Sequence, residues 1–294
     1  MTDLEDAARV FASVRPRLFG IAYRMLGSAS EAEDLVQDAW LRWQTTDRAR
    51  VENPGAFLAT TTTRLAINEL QSARVRRETY IGPWLPEPVD TSADPYLGAE
   101  RDEALAFASL LLMEKLTPTE RAAFVLREAF DYPYAQIAGI VQSTEPAVRQ
   151  LVSRARKHMT GEKRAQVVPA AQKELLSTFL AAARSGDLAA LEKLLAADVA
   201  SISDGNGAIR VARRPVLGRE RVAKFHAALS HSYWDGVEIS YVTTNGQASA
   251  VLSRDGAVEG VLTVIGSPDG IEQILWMASQ EKIAAVTKSV AARS

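Results

Sequence analysis

Arg149 and Gln150 stand side by side, followed within two helical turns by Ser153, Arg154, Arg156 and Lys157. An arginine fork can grip the O6 and N7 of guanine and a glutamine amide can do the same for adenine, each pairing giving about 1–3 kcal/mol of discrimination. Cations a turn further along suit phosphates, which set register without carrying sequence information. A second basic run gathers Arg64, Arg74, Arg76 and Arg77, with Asn68 among them. A cationic track with an amide able to bond an extruded base is the chemistry needed to hold a single strand. The formal charge of the chain is only -2, yet such clusters attract polyanions locally.

Other chemistries find less support. The chain has no cysteine, which removes disulfides, thiolate zinc sites and cysteine nucleophiles together. Asp204, His226, His231, Tyr233 and Asp235 are the polar candidates for acid–base work in the second half. None falls into the spacing of a base facing an oxyanion donor, so no catalytic residue, metal site or cofactor is expected. The acidic N-terminus lacks a signal-peptide core, and Leu105–Met113, the longest apolar run, is well short of the roughly 20 residues of a membrane helix. A cytoplasmic protein that does not enter the membrane is expected.

The elements that must position the two basic faces are helical. Val10, Val14, Leu18, Ile21, Ala22, Met25 and Leu26 recur at helical spacing and stop at Gly27, with Pro16 predicting a kink or an interruption. Ser30 is a candidate cap for a second helix, whose inward stripe is Ala32, Leu35, Val36, Ala39, Trp40 and Trp43. Asn53-Pro54 opens a third, running into the first basic run. Thr117-Pro118-Thr119-Glu120 is a capping box with proline at the first helical position. Pro133 then opens a short helix, and Ser143 or Thr144 caps another with Ala147, Val148, Leu151, Val152 and Ala155 inward. Two short helices, the second basic, make a helix-turn-helix.

Between the helical regions, residues 79–100 are rich in proline and lack any sustained period, which marks a linker. Trp84 and Leu85 are odd in a free spacer and predict an anchor docked on a neighbouring domain. Beyond about Gln166, helical stretches at Lys173–Ala183 and Leu188–Leu195 give way to strand-like runs divided by Asn245-Gly246, Asp255-Gly256 and Asp269-Gly270. A curved antiparallel sheet in an α+β domain is expected.

SEAEDLVQDAWLRW, then NPGAFL with RLAINELQSARVRR, then QIAGIVQSTEPAVRQLVSRARKHM resemble, in that order, the extracytoplasmic-function (group IV) sigma factors. The resemblance spans roughly Val10 to Thr160. It implies an RNA polymerase sigma factor directing promoter-specific initiation, with core polymerase (β′ clamp helices and β flap) and promoter DNA, duplex and melted, as partners. By that likeness Asp34, Gln37 and Asp38 contact polymerase, Arg64, Asn68, Arg74, Arg76 and Arg77 face the melted minus-ten element, and Arg149, Gln150, Ser153, Arg154 and Lys157 face the minus-thirty-five duplex. The family's usual Arg-Asn pair reads Arg64-Leu65 here, its usual Asp reads Asn68, and the glycine of its helix-turn-helix turn reads Gln142.

Trp84-Leu85-Pro86-Glu87-Pro88 resembles the linker signature of the subgroup with a fused SnoaL-like, nuclear-transport-factor-2-like C-terminal domain. Asp204-Gly205-Asn206-Gly207 resembles that subgroup's Asp-Gly-Gly-Gly turn. The likeness makes Trp84, Leu85, Pro86, Asp204, Gly205 and Gly207 regulatory contacts and the fused domain a modulator. That fold also houses small-ligand pockets, so a small-molecule ligand is a further expected partner. The expected architecture is multidomain: two all-α sigma domains, residues 1–78 and 101–165, the second a helix-turn-helix, then an α+β cone at residues 170–284. The alternative is a ligand-responsive helix-turn-helix regulator that binds DNA without core polymerase.

Overall fold

The computed structural model describes residues 3–78, 80–91, 106–161, 169–207 and 211–291, with residues 3, 73–78, 160–161 and 169 described by their backbone alone. Two compact units emerge: Met1–Glu78 with Asp94–Glu162, and Thr79–Ala93 with Lys163–Ser294.

The first unit is helical: α1 (Asp3–Leu26), α2 (Ala29–Thr45), α3 (Pro54–Glu78), α4 (Phe107–Met113), α5 (Pro118–Glu128), α6 (Tyr134–Ile140) and α7 (Glu145–Gly161). Helix α1 is unbroken across Pro16, against the expected interruption. An interior proline costs about 3 kcal/mol, and burial of Leu18, Ile21, Ala22, Met25 and Leu26 in the following turns offsets that loss. The cap of α2 is Ser28, whose Oγ accepts from the Glu31 N–H at 3.1 Å. Ser30, the expected cap, lies inside the helix because Gly27, at φ 69°, ends α1 and leaves only one residue before the next begins. Ala32, Leu35, Val36, Ala39 and Trp43 face inward as their spacing predicts, with Trp40 half-buried against Phe11. The Asn53 Oδ1 accepts from Ala56 N–H at the start of α3. Thr117 and Glu120 close the capping box of α5.

Helix α5 joins the two helical modules. Its buried Arg121 donates from Nε to the Arg24 carbonyl at 3.0 Å and pairs with Glu114 at 2.5 Å. Arg24 and Arg17 of α1 lie over the Phe130 ring just beyond α5. A Cβ at Gly20 would meet Phe130 at 3.2 Å, so glycine permits this close approach.

The second unit contains α8 (Pro169–Ser185), α9 (Leu188–Leu194), β1 (Leu195–Asp204), β2 (Val216–Leu217), α10 (Arg219–Leu229), β3 (Glu238–Thr244), β4 (Gln247–Arg254), β5 (Ala257–Ser267), β6 (Gly270–Met277) and α11 (Gln280–Ala291). The sheet order is β2-β1-β6-β5-β4-β3. Strands β3 to β6 form the expected antiparallel meander, but β1 lies parallel to β6, so the sheet is mixed. Turn signals report hairpins between consecutive strands, whereas the β1–β6 pairing joins residues some seventy apart and leaves no local trace. Asn245-Gly246 and Asp255-Gly256 both adopt left-handed φ values, as two-residue hairpin turns require. Helices α8 and α10 cover the sheet through Leu176, Phe179, Leu180, Val222 and Ala223, which pack on Ala250, Leu252, Leu262 and Val264. This is the α+β cone expected of a SnoaL-like domain.

Candidate nucleic-acid interface

Helices α6 and α7 form the helix-turn-helix. Its turn bends at Gln142, whose φ is 55°, the left-handed conformation that glycine adopts without penalty. Thr144 rather than Ser143 caps α7, its Oγ1 accepting from Ala147 N–H. Val148, Val152, Ala155 and Met159 are buried; Arg149, Gln150, Ser153, Arg154 and Lys157 are exposed. The sequence-predicted reading residues therefore share one exposed face. Arg149 pairs with Glu145 one turn earlier at 2.5 Å, and its guanidinium lies 4.3 Å from the Tyr134 ring centre. Arg154 reaches Glu120 of α5 at 2.9 Å and Arg156 reaches Glu128 at 2.7 Å. Burial works against the charge on Glu120, but hydrogen bonds from Thr117 and Arg154 outweigh it and hold the carboxyl below its ordinary range. The arginines of these pairs are at least half exposed, and surface pairs of this kind contribute about 0–1 kcal/mol. They orient α7 without preventing exchange for phosphates.

On α3, Arg64 and Asn68 are exposed one turn apart. Arg64 donates to the carbonyls of Ile140 and Gly139 at 3.0 and 2.9 Å, at the end of α6. Access of this guanidinium to nucleic acid requires those two bonds to break. The side chains of Arg74, Arg76 and Arg77 lie outside the described residues. Asp34, Gln37 and Asp38 fall on one exposed face of α2, beside Leu41, which is exposed despite being apolar.

The linker docks within the second unit. Leu85 is 2% exposed and Pro86 is also buried. Strands β1 and β6 end side by side, with Asp204 opposite Met277. Helix α11 starts three residues on and carries Lys282 back to Asp204. Lys282 Nζ donates to Asp204 Oδ2 at 2.7 Å and to the Leu85 carbonyl at 2.8 Å, while the Leu85 N–H donates to the same Asp204 oxygen at 2.7 Å. Trp84 and Tyr80 flank the ammonium, their ring centres 4.3 and 4.8 Å away. The Tyr80 hydroxyl donates to the other Asp204 oxygen; burial and that carboxylate push the phenol above its ordinary range, so it stays protonated.

Beyond Pro88 the linker is stitched to the β3–β4 hairpin. Val89 N–H donates to Asn245 Oδ1 at 3.0 Å, Asn245 N–H to the Val89 carbonyl at 2.9 Å, and Thr91 N–H to the Thr243 carbonyl at 3.1 Å. Asp90 bridges to Thr244 in antiparallel fashion, covering part of the β3 edge, which unpaired would invite association. Gly207, at φ 81°, lies against Ile81 of the linker. A Cβ on Gly205 would come within 2.9 Å of Val211.

The sequence reading therefore located Trp84, Leu85, Pro86 and Asp204, which the structure brings together. It missed Lys282 and Tyr80. The signal for Lys282 was its place on the inward stripe of α11 with Ile283 and Val286, all three buried, where a lysine needs a buried partner. Of the other polar candidates, His231 and Asp235 are exposed. His226 is buried, with Nε2 3.0 Å from Ser201 Oγ, and burial lowers its pKa to about 4.

Two family models match the chain: Sigma-70 region 2 over residues 10–76 and Sigma-70, region 4 over residues 109–159. The ECF RNA polymerase sigma factor SigJ of Mycobacterium tuberculosis is 37% identical over 285 residues, covering 90% of this chain and 89% of that protein. A probable ECF RNA polymerase sigma factor, SigI, of the same organism is 30% identical over 268 residues, covering 90% of each chain. The crystal structure of M. tuberculosis SigJ superimposes with a TM-score of 0.76 at 33% identity, over 94% of this chain and 97% of that one. With both sigma regions matched in order and the likeness continuing through the C-terminal unit, the chain belongs to the extracytoplasmic-function RNA polymerase sigma factors.

Proposed function

We propose that this chain directs promoter-specific initiation by core RNA polymerase and that its C-terminal domain modulates that activity through the linker. The observation that carries the reading is the exposed face of α7, where Arg149 and Gln150 stand at the N-terminal end as base readers. Ser153, Arg154 and Lys157 beside them hold the backbone of the minus-thirty-five duplex. Arg64, Asn68, Arg74, Arg76 and Arg77 track the melted minus-ten strand. Asp34, Gln37 and Asp38 meet the β′ clamp helices, with exposed Leu41 supplying apolar contact, and the helix-turn-helix module meets the β flap. We place the functional boundaries at residues 1–78, 79–100, 101–165 and 170–284.

Modulation is supported by the Asp204–Lys282 node and by Trp84, Leu85 and Pro86 docked beside it, with Gly207 allowing the close approach of Ile81 and Gly205 that of Val211. The C-terminal domain takes a small molecule in its cone and is not a catalyst: the Asp204 carboxylate, a candidate base, is bonded to Lys282, Tyr80 and the linker backbone. Work with polymerase places the protein in the cytoplasm. Among the described residues no helix is long and apolar enough to cross a membrane.

Run-off transcription with purified core enzyme on a promoter library tests the reading. The full chain should yield transcripts from a defined promoter class, and Leu85→Asp, which places a charge against Asp204, should change their yield. Absence of transcripts from every promoter would overturn the assignment; an unchanged yield with Leu85→Asp would overturn the linker's role.

A further inference from the structure

Between α10, the 230–237 loop and the inner face of the sheet lies a cavity of about 120 Å³. Phe225, His226, Tyr233, Trp234, Leu262 and Trp276 wall it. The Tyr233 ring stands edge-on to Trp234 and Trp276, with centres 5.3 and 5.9 Å apart, and Phe225 is edge-on to His226 at 5.1 Å. Aromatic walls set at right angles to one another offer both faces and edges to a flat guest. Its volume is of the order of the roughly 150 Å³ apolar cavity that accepts benzene, which limits a guest to a single ring.

The chemistry of the walls narrows the guest further. Among the described residues, no aspartate, glutamate, lysine or arginine lines the cavity. His226, committed to Ser201 and deeply buried, is neutral at physiological pH. Arg254 and Glu259, beside Tyr233, pair with each other at 2.8 Å, with Arg254 also donating to the Tyr233 carbonyl. A charged guest would lose its hydration and meet no counter-ion. Two polar groups of the wall residues have no hydrogen-bond partner among the described residues, the Tyr233 hydroxyl and the Trp234 indole N–H; the hydroxyl neighbours the Glu259 carboxylate, which leaves the indole as the donor without an acceptor nearby. Trp234 is 7% exposed, and its indole N–H has no acceptor among the described residues. That nitrogen can only donate, and buried donors are ordinarily satisfied.

We infer that the cavity binds an uncharged single-ring aromatic molecule carrying a hydrogen-bond acceptor, such as an aryl carbonyl, that receives the Trp234 N–H. This deepens the reading that the C-terminal domain takes a small molecule and rests on it. The ring fills the aromatic box, the acceptor satisfies the Trp234 donor, and the absence of charge matches the described walls.

Three probes of similar size separate the contributions: acetophenone, which has ring and acceptor; ethylbenzene, which has the ring alone; and benzoate, which adds charge. Titrated into the full chain and followed by NMR, acetophenone should bind about tenfold more tightly than either of the others, the loss expected for one net hydrogen bond to a buried donor. Trp234→Phe should abolish the preference, so that acetophenone and ethylbenzene bind with equal affinity, and the variant's NMR spectrum shows whether the domain remains folded. Leu262→Trp, which fills the cavity, should weaken all three. Benzoate binding as well as acetophenone, no probe binding at millimolar concentration, or an acetophenone preference that survives Trp234→Phe would each overturn the inference. Run-off yield measured with and without acetophenone separates this from the broader reading. Binding as described with no change in yield contradicts ligand modulation and leaves the site's chemistry standing. A yield that responds to benzoate instead keeps modulation and overturns the assigned class.

Discussion

At the scale of single residues, two kinds of charge perform different work. Arg149 is exposed but held over the Tyr134 ring and paired with Glu145, which restricts its rotamers before DNA arrives. Lys157 lies two turns further along α7 and is also exposed, where its ammonium acts as a point charge toward phosphate. Arg149→Ala should therefore relax discrimination at one position of the upstream element, at a cost of about 1–3 kcal/mol. Lys157→Ala should weaken all sequences alike and lower the salt slope by about one. Competition transcription on upstream-element variants at several salt concentrations distinguishes them, and equal loss of discrimination in both would contradict the division. Asp204 and Lys282 are instead buried and paired at 2.7 Å. Removing one member strands a charge, so Asp204→Asn or Lys282→Met should each destabilise the C-terminal unit by about 3–5 kcal/mol. The double variant should lose far less than the sum. Denaturant unfolding measures this, and strict additivity would show that the two charges do not act as a pair.

At the scale of elements, the turn between α6 and α7 carries a glutamine where a left-handed residue is required. For a residue with a Cβ that conformation costs about 1–2 kcal/mol. Gln142→Gly should raise the stability of the helical unit by about 1 kcal/mol, less the entropy glycine adds to the unfolded chain. A fall in its thermal midpoint would mean that the Gln142 side chain makes contacts that matter more than backbone strain. Local signals of this kind made most of the helical unit legible from sequence. The Thr117–Glu120 box, the Asn53 cap and the apolar stripes of α2 and α7 all act within one or two turns, so sequence spacing and spatial neighbourhood coincide. The misreadings came where distant parts of the chain decide. Helix α1 runs uninterrupted past Pro16 through its tertiary burial, and β1 pairs in parallel with the far strand β6; the cap of α2 is a local exception, set at Ser28 by the neighbouring Gly27. The linker site was half legible for the same reason. Trp84 and Leu85 betray themselves as apolar residues in a polar stretch, but their partner Lys282 lies nearly two hundred residues on, and only its place on an apolar stripe marked it.

At the scale of the whole molecule, each basic face has its own constraint. The face of α7 proposed to read the duplex is exposed. In the proposed single-strand track, Arg64 is engaged by the carbonyls of Gly139 and Ile140, so the helical unit presents one proposed face while part of the other is turned inward on its own helix-turn-helix. The linker is fastened along the second unit by Asp204, Lys282 and Asn245, which gives that domain a physical hold on the segment joining the two helical modules. These features fit a protein that acts on a promoter only in company with polymerase, in contrast to a regulator that grips an operator alone.

The most direct test is promoter binding by the purified full chain, measured by gel shift on matched and scrambled promoter duplexes with and without core RNA polymerase. The account predicts weak, sequence-indifferent binding by the chain alone and tight, promoter-specific binding once core is added. Tight and specific binding without core, unchanged by its addition, would contradict it.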